Sequence, residues 1–222
     1  MSTARFAIAI LRKDLIVEFR SRYAINTVLA FVVSATLVVL FALDTRILSD
    51  EIYSGLLWII ILFASMSSLS RSFVMETDKQ TFDLLRLHTP GLPVYTGKLI
   101  YNILFTTAVT LLTFSLLFLL TGAFSEGGFI LLLILILGAI GFSSVSTLIA
   151  SLVSRASRKG SIFTVLCLPL LLPLIMLLTT ATRNTLGGAE FFENGEELLA
   201  LTGYCGVTIT LSVLLFEYVW ND

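Results

Sequence analysis

An all-α membrane protein with six spanning helices is the fold class that this sequence predicts, and three observations predict it. Of 222 residues, 57% are apolar and only 13% charged, with a mean hydropathy of +0.98; a water-soluble domain carries about 25% charged residues. The apolar residues come in runs of about twenty, the length a helix needs to cross about 30 Å of hydrocarbon, where a membrane barrel would alternate over segments of about ten. Lys and Arg gather in alternate connections, as they do in a chain threaded back and forth through a bilayer. The same composition excludes disorder. A net charge of −1 supplies no field to hold nucleic acid.

One membrane domain covers 1–222. Its spans fall at 24–43, 52–70, 99–121, 129–153, 162–181 and 199–220. Ahead of them, 1–23 reads as an amphipathic helix lying at the membrane surface. Ile8, Leu11, Leu15 and Phe19 recur on one stripe, Arg5, Arg12, Lys13 and Arg20 occupy the adjoining sector, and Ile16 spoils the pattern. No A-x-A site closes this segment, so it does not read as a cleaved signal peptide.

Twelve of the fourteen Lys and Arg lie before the first span, between the second and third, or between the fourth and fifth; only Arg46 and Arg183 lie on the other side. Positive residues stay cytoplasmic, which places both termini inside the cell. Tyr53 and Trp58, near the outer start of the second span, and Tyr218 and Trp220, near the inner end of the sixth, read as interfacial belt residues. Cys167 and Cys205 sit at different depths and read as small apolar packers without a disulfide.

In the fourth span Ala139, Ser143, Thr147 and Ser151 recur every four residues. They form a helix-packing face whose small side chains admit a neighbouring backbone and whose hydroxyls bond across helices; a polar translocation surface is the other reading. In the fifth span Pro169 and Pro173 each remove a backbone donor and predict a kink.

No Asp or Glu lies deep in a span, which argues against an intramembrane protease, a carboxylate-based proton carrier and a voltage sensor. His88, the only histidine, stands in a polar loop, so neither a metal site nor a haem ligand is identified. Gly91 to Lys98 superficially resembles a P-loop. Five residues separate its glycines where four are required, and Leu99 stands where Ser or Thr should. No nucleotide motor is encoded, so any vectorial work draws its energy from a partner.

The longest cytoplasmic connection, 71–98, carries the most information. Residues 81–87 can form a short helix showing Phe82 and Leu85 on one face, with Pro90 and Pro93 beyond it as helix breakers. Such a face suits docking on another protein, or dipping into the membrane interface. Its pattern, Glu76, Asp78, Thr81, Leu84/Leu85, Pro90 and Gly97-Lys98, resembles the coupling loop of ABC-2-type permeases, E-x-D-G-T-L-x-x-L-x-x-x-P…G-K. Gln80 replaces the usual glycine and Phe82 the usual leucine.

Leu11 to Arg22, the run from Ser154 to Gly160, and Pro169-Leu-Leu-Leu-Pro173 are further similar to one branch, the haem exporter protein B (CcmB) family of cytochrome c maturation. That resemblance covers nearly the whole chain. It implies an ABC-2-type permease architecture in the bacterial inner membrane, a homodimer paired with two copies of a cytoplasmic ABC ATPase, and no catalysis by this chain. ATP would sit on the partner, no cofactor would be bound directly, and haem would be cargo or be carried by partners. Those partners are haem-handling membrane proteins and a periplasmic haem chaperone, with membrane lipid around the chain. Glu76, Asp78, Thr81, Phe82, Leu84, Leu85, Pro90 and Lys98 would contact the ATPase. An exporter of polysaccharide, lipid or drug, and a membrane scaffold without transport, remain as alternatives. The outer loop 182–198, with Glu190, Glu193, Glu196 and Glu197 beside Phe191 and Phe192, reads as an acidic connector or a surface for an external partner.

Overall fold

The structure, a computed structural model, describes residues 3–43, 48–69, 89–122, 128–154, 159–189 and 193–221. Among these residues it contains seven helices and no strand: α1 (Thr3–Ser21), α2 (Tyr23–Leu43), α3 (Asp50–Leu69), α4 (Gly91–Thr121), α5 (Gly128–Val153), α6 (Lys159–Leu186) and α7 (Gly195–Asn221). Helices α2 to α7 are each long and apolar enough to cross a membrane.

Helix α5 is the axis of the bundle. It packs against α4, α6, α7 and α3, and every residue from 141 to 151 is buried. A helix apolar all round belongs inside such a cluster. Helix α2 is the opposite case. Only Val28, Val32 and Thr36, one residue per turn, face inward, while Val38 and Phe41 are exposed, as suits a helix with lipid on its other sides.

Helix α4 corrects the expected third span. It begins at Gly91, eight residues before position 99, so the connection ahead of it is shorter than 71–98. Pro90 and Pro93, read as helix breakers, open this helix: Pro90 is the N-cap and Pro93 the third helical residue. Proline is tolerated there because the N–H groups of the first turn have no intrahelical acceptor to lose. At 31 residues the helix is about 46 Å long, about 15 Å more than the hydrocarbon is thick. That surplus lets its first turns stand out of the membrane beside α1.

Helix α1 packs along the first half of α4 through Ala7, Ile10 and Asp14, and not through the stripe centred on Ile8 and Phe19. Leu11 and Leu15 are half-buried, whereas Ile8, Ile16 and Phe19 are exposed. Hydropathy alone picked out the apolar stripe, but the bundle uses the face with the smaller residues. Ala7 and Gly97 set the approach: a Cβ on Gly97 would lie 2.7 Å from the Ala7 carbonyl oxygen.

Tyr53 and Trp58 are not belt residues. Both are fully buried, and the Trp58 indole N–H donates to Thr182 Oγ1 at 2.9 Å while its ring stacks on Phe142. Depth in the sequence suggested the belt, but the face of α3 on which they lie turns inward. Trp220 is likewise buried, against Phe216, and only Tyr218 of the four is exposed. Cys167 and Cys205 are free and buried.

The outer acidic connection is also shorter than expected, because α6 runs to Leu186 and Gly195 opens α7. Glu196 and Glu197 form part of the first turn of α7, where carboxylates meet the positive end of the helix dipole. Glu190, Phe191 and Phe192 lie outside the described residues.

Candidate functional site

Of the expected coupling residues, Glu76, Asp78, Thr81, Phe82, Leu84 and Leu85 lie outside the described residues, as does His88. Pro90 caps α4 where that loop ends, and Lys98 lies two turns into the helix. Pro90 is exposed, whereas Lys98, expected among the partner contacts, is only 2% exposed and points at α1. Its ammonium donates to Asp14 Oδ2 at 3.3 Å, and Lys13 meets the other oxygen of that carboxylate at 3.2 Å. The segment that mimicked a P-loop is therefore helix, with its lysine engaged by a carboxylate; a phosphate cradle needs an open loop of free N–H groups.

The same clamp reaches α2. Between α1 and α2 stands one non-helical residue, Arg22, in the left-handed region at φ 52°. Such a conformation costs a non-glycine residue about 1–2 kcal/mol. The Glu18 carboxylate compensates: Oε1 accepts the backbone N–H groups of Ala24 and Ile25 at 2.9 and 3.1 Å, the second and third donors of α2. Glu18 thus does what a capping side chain does and also adds a negative charge at the helix start. On the other flank of α4, Tyr95 packs on Phe216 with ring centroids 5.0 Å apart, and Gly91 lies against Trp220. The exit of the loop is gripped by α1 on one side and by the end of α7 on the other.

Inside the bundle, Ala139, Ser143, Thr147 and Ser151 are all buried. Ser143 donates to Thr106 Oγ1 at 3.0 Å and the Asn102 amide donates to Thr147 Oγ1 at 2.7 Å, so this face meets α4. One residue round the helix, Ser144 shares a hydrogen bond of 2.9 Å with Thr208 of α7. Adjacent residues on a helix differ by about 100°, so one stretch of α5 ties two neighbours. Asn102, Thr106, Thr110 and Thr113 on α4 are buried too; their own near-fourfold spacing was the signal for this second half of the seam.

Pro169 and Pro173 lie within the continuous helix α6. A proline leaves the carbonyl four residues before it without its helical donor, and for Pro173 that carbonyl is Pro169. The neighbouring Leu170 carbonyl accepts a hydrogen bond from the Tyr204 hydroxyl of α7. Among the described residues, no three His, Cys, Asp or Glu gather as a metal site.

Six apolar helices long enough to span, with a further helix clamped to the start of the longest one, define a polytopic helical membrane protein. Residues 5–217 match the model of the CcmB protein family, and the chain belongs to that family, the membrane component of a haem exporter ABC system. No curated protein matches the chain.

Proposed function

We propose that this chain is the permease subunit of an ABC complex in cytochrome c maturation, coupling ATP hydrolysis on a separate ATPase to haem export or to release of a haem-loaded periplasmic chaperone. The observation that carries the coupling reading is the clamp. Lys98, two turns into α4 from the end of the coupling loop at Pro90, is bound to Asp14, and Glu18, one turn further along α1, caps α2. A push on that loop therefore reaches two spans through fixed polar contacts. The working unit is a homodimer with two ATPase copies in the bacterial inner membrane, with both termini cytoplasmic. Closure of the ATPases tilts α2, α3 and α6 against their dimer mates, a shift between two packings of similar energy.

Affinity purification of the tagged protein in mild detergent, with mass spectrometry of its companions, tests this. An ABC ATPase with haem-handling membrane proteins is the expected result, and Phe82→Asp with Leu85→Asp should remove the ATPase and leave the permease folded. An intact complex without an ATPase overturns the reading. ATP-dependent loss of the chaperone, compared with appearance of haem across the membrane, then decides between release and export.

A further inference from the structure

Beneath α1 the structure holds a cavity of about 370 Å³ walled by α1, α2 and α4. Leu15, Phe19, Val28, Leu104, Phe105 and Val109 typify its lining, and only Glu18 and Tyr101 bring polar side chains to it. Glu18 already accepts two backbone N–H groups of α2. A water-soluble ligand would find almost nothing there to bond, whereas a hydrocarbon chain would lose nothing by entering.

The face of α1 next to this cavity is charged in one sense. Asp14 and Glu18, its two acids, are engaged with Lys98, Lys13 and the start of α2. Arg5, Arg12 and Arg20 are exposed, and among the described residues no carboxylate pairs with them. At 100° per residue, Arg5, Ile8, Arg12, Ile16 and Phe19 share a sector of about 80° opposite the Ala7–Ile10 contact. In it Ile8, Ile16 and Phe19 are 62%, 55% and 67% exposed. Guanidinium groups interleaved with large apolar side chains match a headgroup layer, where phosphate lies directly above hydrocarbon. Phe19 belongs to both this sector and the cavity wall, so the two features are continuous.

We propose that α1, α2 and α4 form a binding site for an anionic phospholipid, with one acyl chain in the cavity and the phosphate on the arginines of α1. The site needs the chain to be in a membrane and does not depend on which ATPase or cargo it serves.

The test uses the full chain, stripped of lipid in mild detergent, exposed to vesicles of phosphatidylglycerol and phosphatidylcholine with matched chains, and weighed by native mass spectrometry. The expected result is retention of phosphatidylglycerol over phosphatidylcholine, with the preference falling about fivefold for each arginine lost in Arg12→Gln and Arg20→Gln. Ala108→Phe, which fills the cavity from α4, should abolish retention of both lipids while the unfolding midpoint without lipid holds; Leu29→Trp fills it from α2 should the first variant misfold. Equal retention of the two lipids overturns the proposal, as does lipid surviving both filled cavities. An Ala108→Cys chain, with Cys167→Ser and Cys205→Ser, that crosslinks to a second copy also overturns it, because the cavity would then be a dimer seam.

Discussion

At the scale of single residues, the two acidic groups of α1 act inward. Asp14 lies 84 positions from Lys98, and nothing local in either segment announces the pair. Its energy is best read as a coupling, since each charge has other neighbours. Asp14→Ala and Lys98→Ala should each destabilise the protein, and the double variant should be less harmed than their sum by roughly 0.5–3 kcal/mol. Thermal unfolding of the four proteins in one detergent measures this, and simple additivity would mean that the contact carries no coupling. Loss of the Tyr204 hydroxyl, which donates to the Leu170 carbonyl, should cost about 0.5–1.5 kcal/mol in Tyr204→Phe, and an unchanged unfolding midpoint would mean that this bond carries no stability.

At the scale of elements, close approach decides which glycines matter. Gly97 faces the backbone of α1, which cannot rotate away, whereas a Cβ on Gly55 of α3 meets nothing within 4 Å. Gly97→Leu should therefore part α1 from α4 at a cost of about 1–3 kcal/mol. Gly55→Ala should be neutral or stabilise by up to about 1 kcal/mol, since alanine is the better helix former. Unfolding midpoints check both, with protease sensitivity of α1 as the local readout for the first. The six spans were legible because twenty apolar residues admit little else. The start of α4 was not, because a proline pair between helices reads equally as the end of one or the beginning of the next. Trp58 was misplaced for a related reason: sequence gives depth along a helix more readily than the face on which a residue lies. The fourfold row on α5 was visible, but the helix it meets was not, because a row of small polar residues marks a contact without naming its partner.

For the whole molecule, the clamp and the seam lie in different zones, one between α1 and the start of α4 around Lys98 and the other along α5. The proposed orientation rests on charge placement and is directly testable. In a chain with Cys167→Ser and Cys205→Ser, single cysteines at Thr3 and Asn221 should react with an impermeant maleimide only after the membrane is opened. One at Gly188 should react from the outside, and the reverse pattern would invert the topology. The proposed coupling residues rest on resemblance, since a docking face has no chemistry of its own to betray it.

The one-residue joint at Arg22 has a consequence for how such a chain can vary in length. Surface connections between helices usually accept insertions at little cost. This joint has no slack: Glu18 must reach Ala24 and Ile25, and Asp14 must still meet Lys98. A single extra residue after Arg22 would leave α2 about 100° out of phase with α1 and move Val28, Val32 and Thr36 off their inward line. Between Asp14 and Thr36 the chain is therefore fixed in number of residues, and gains and losses of sequence belong outside that stretch.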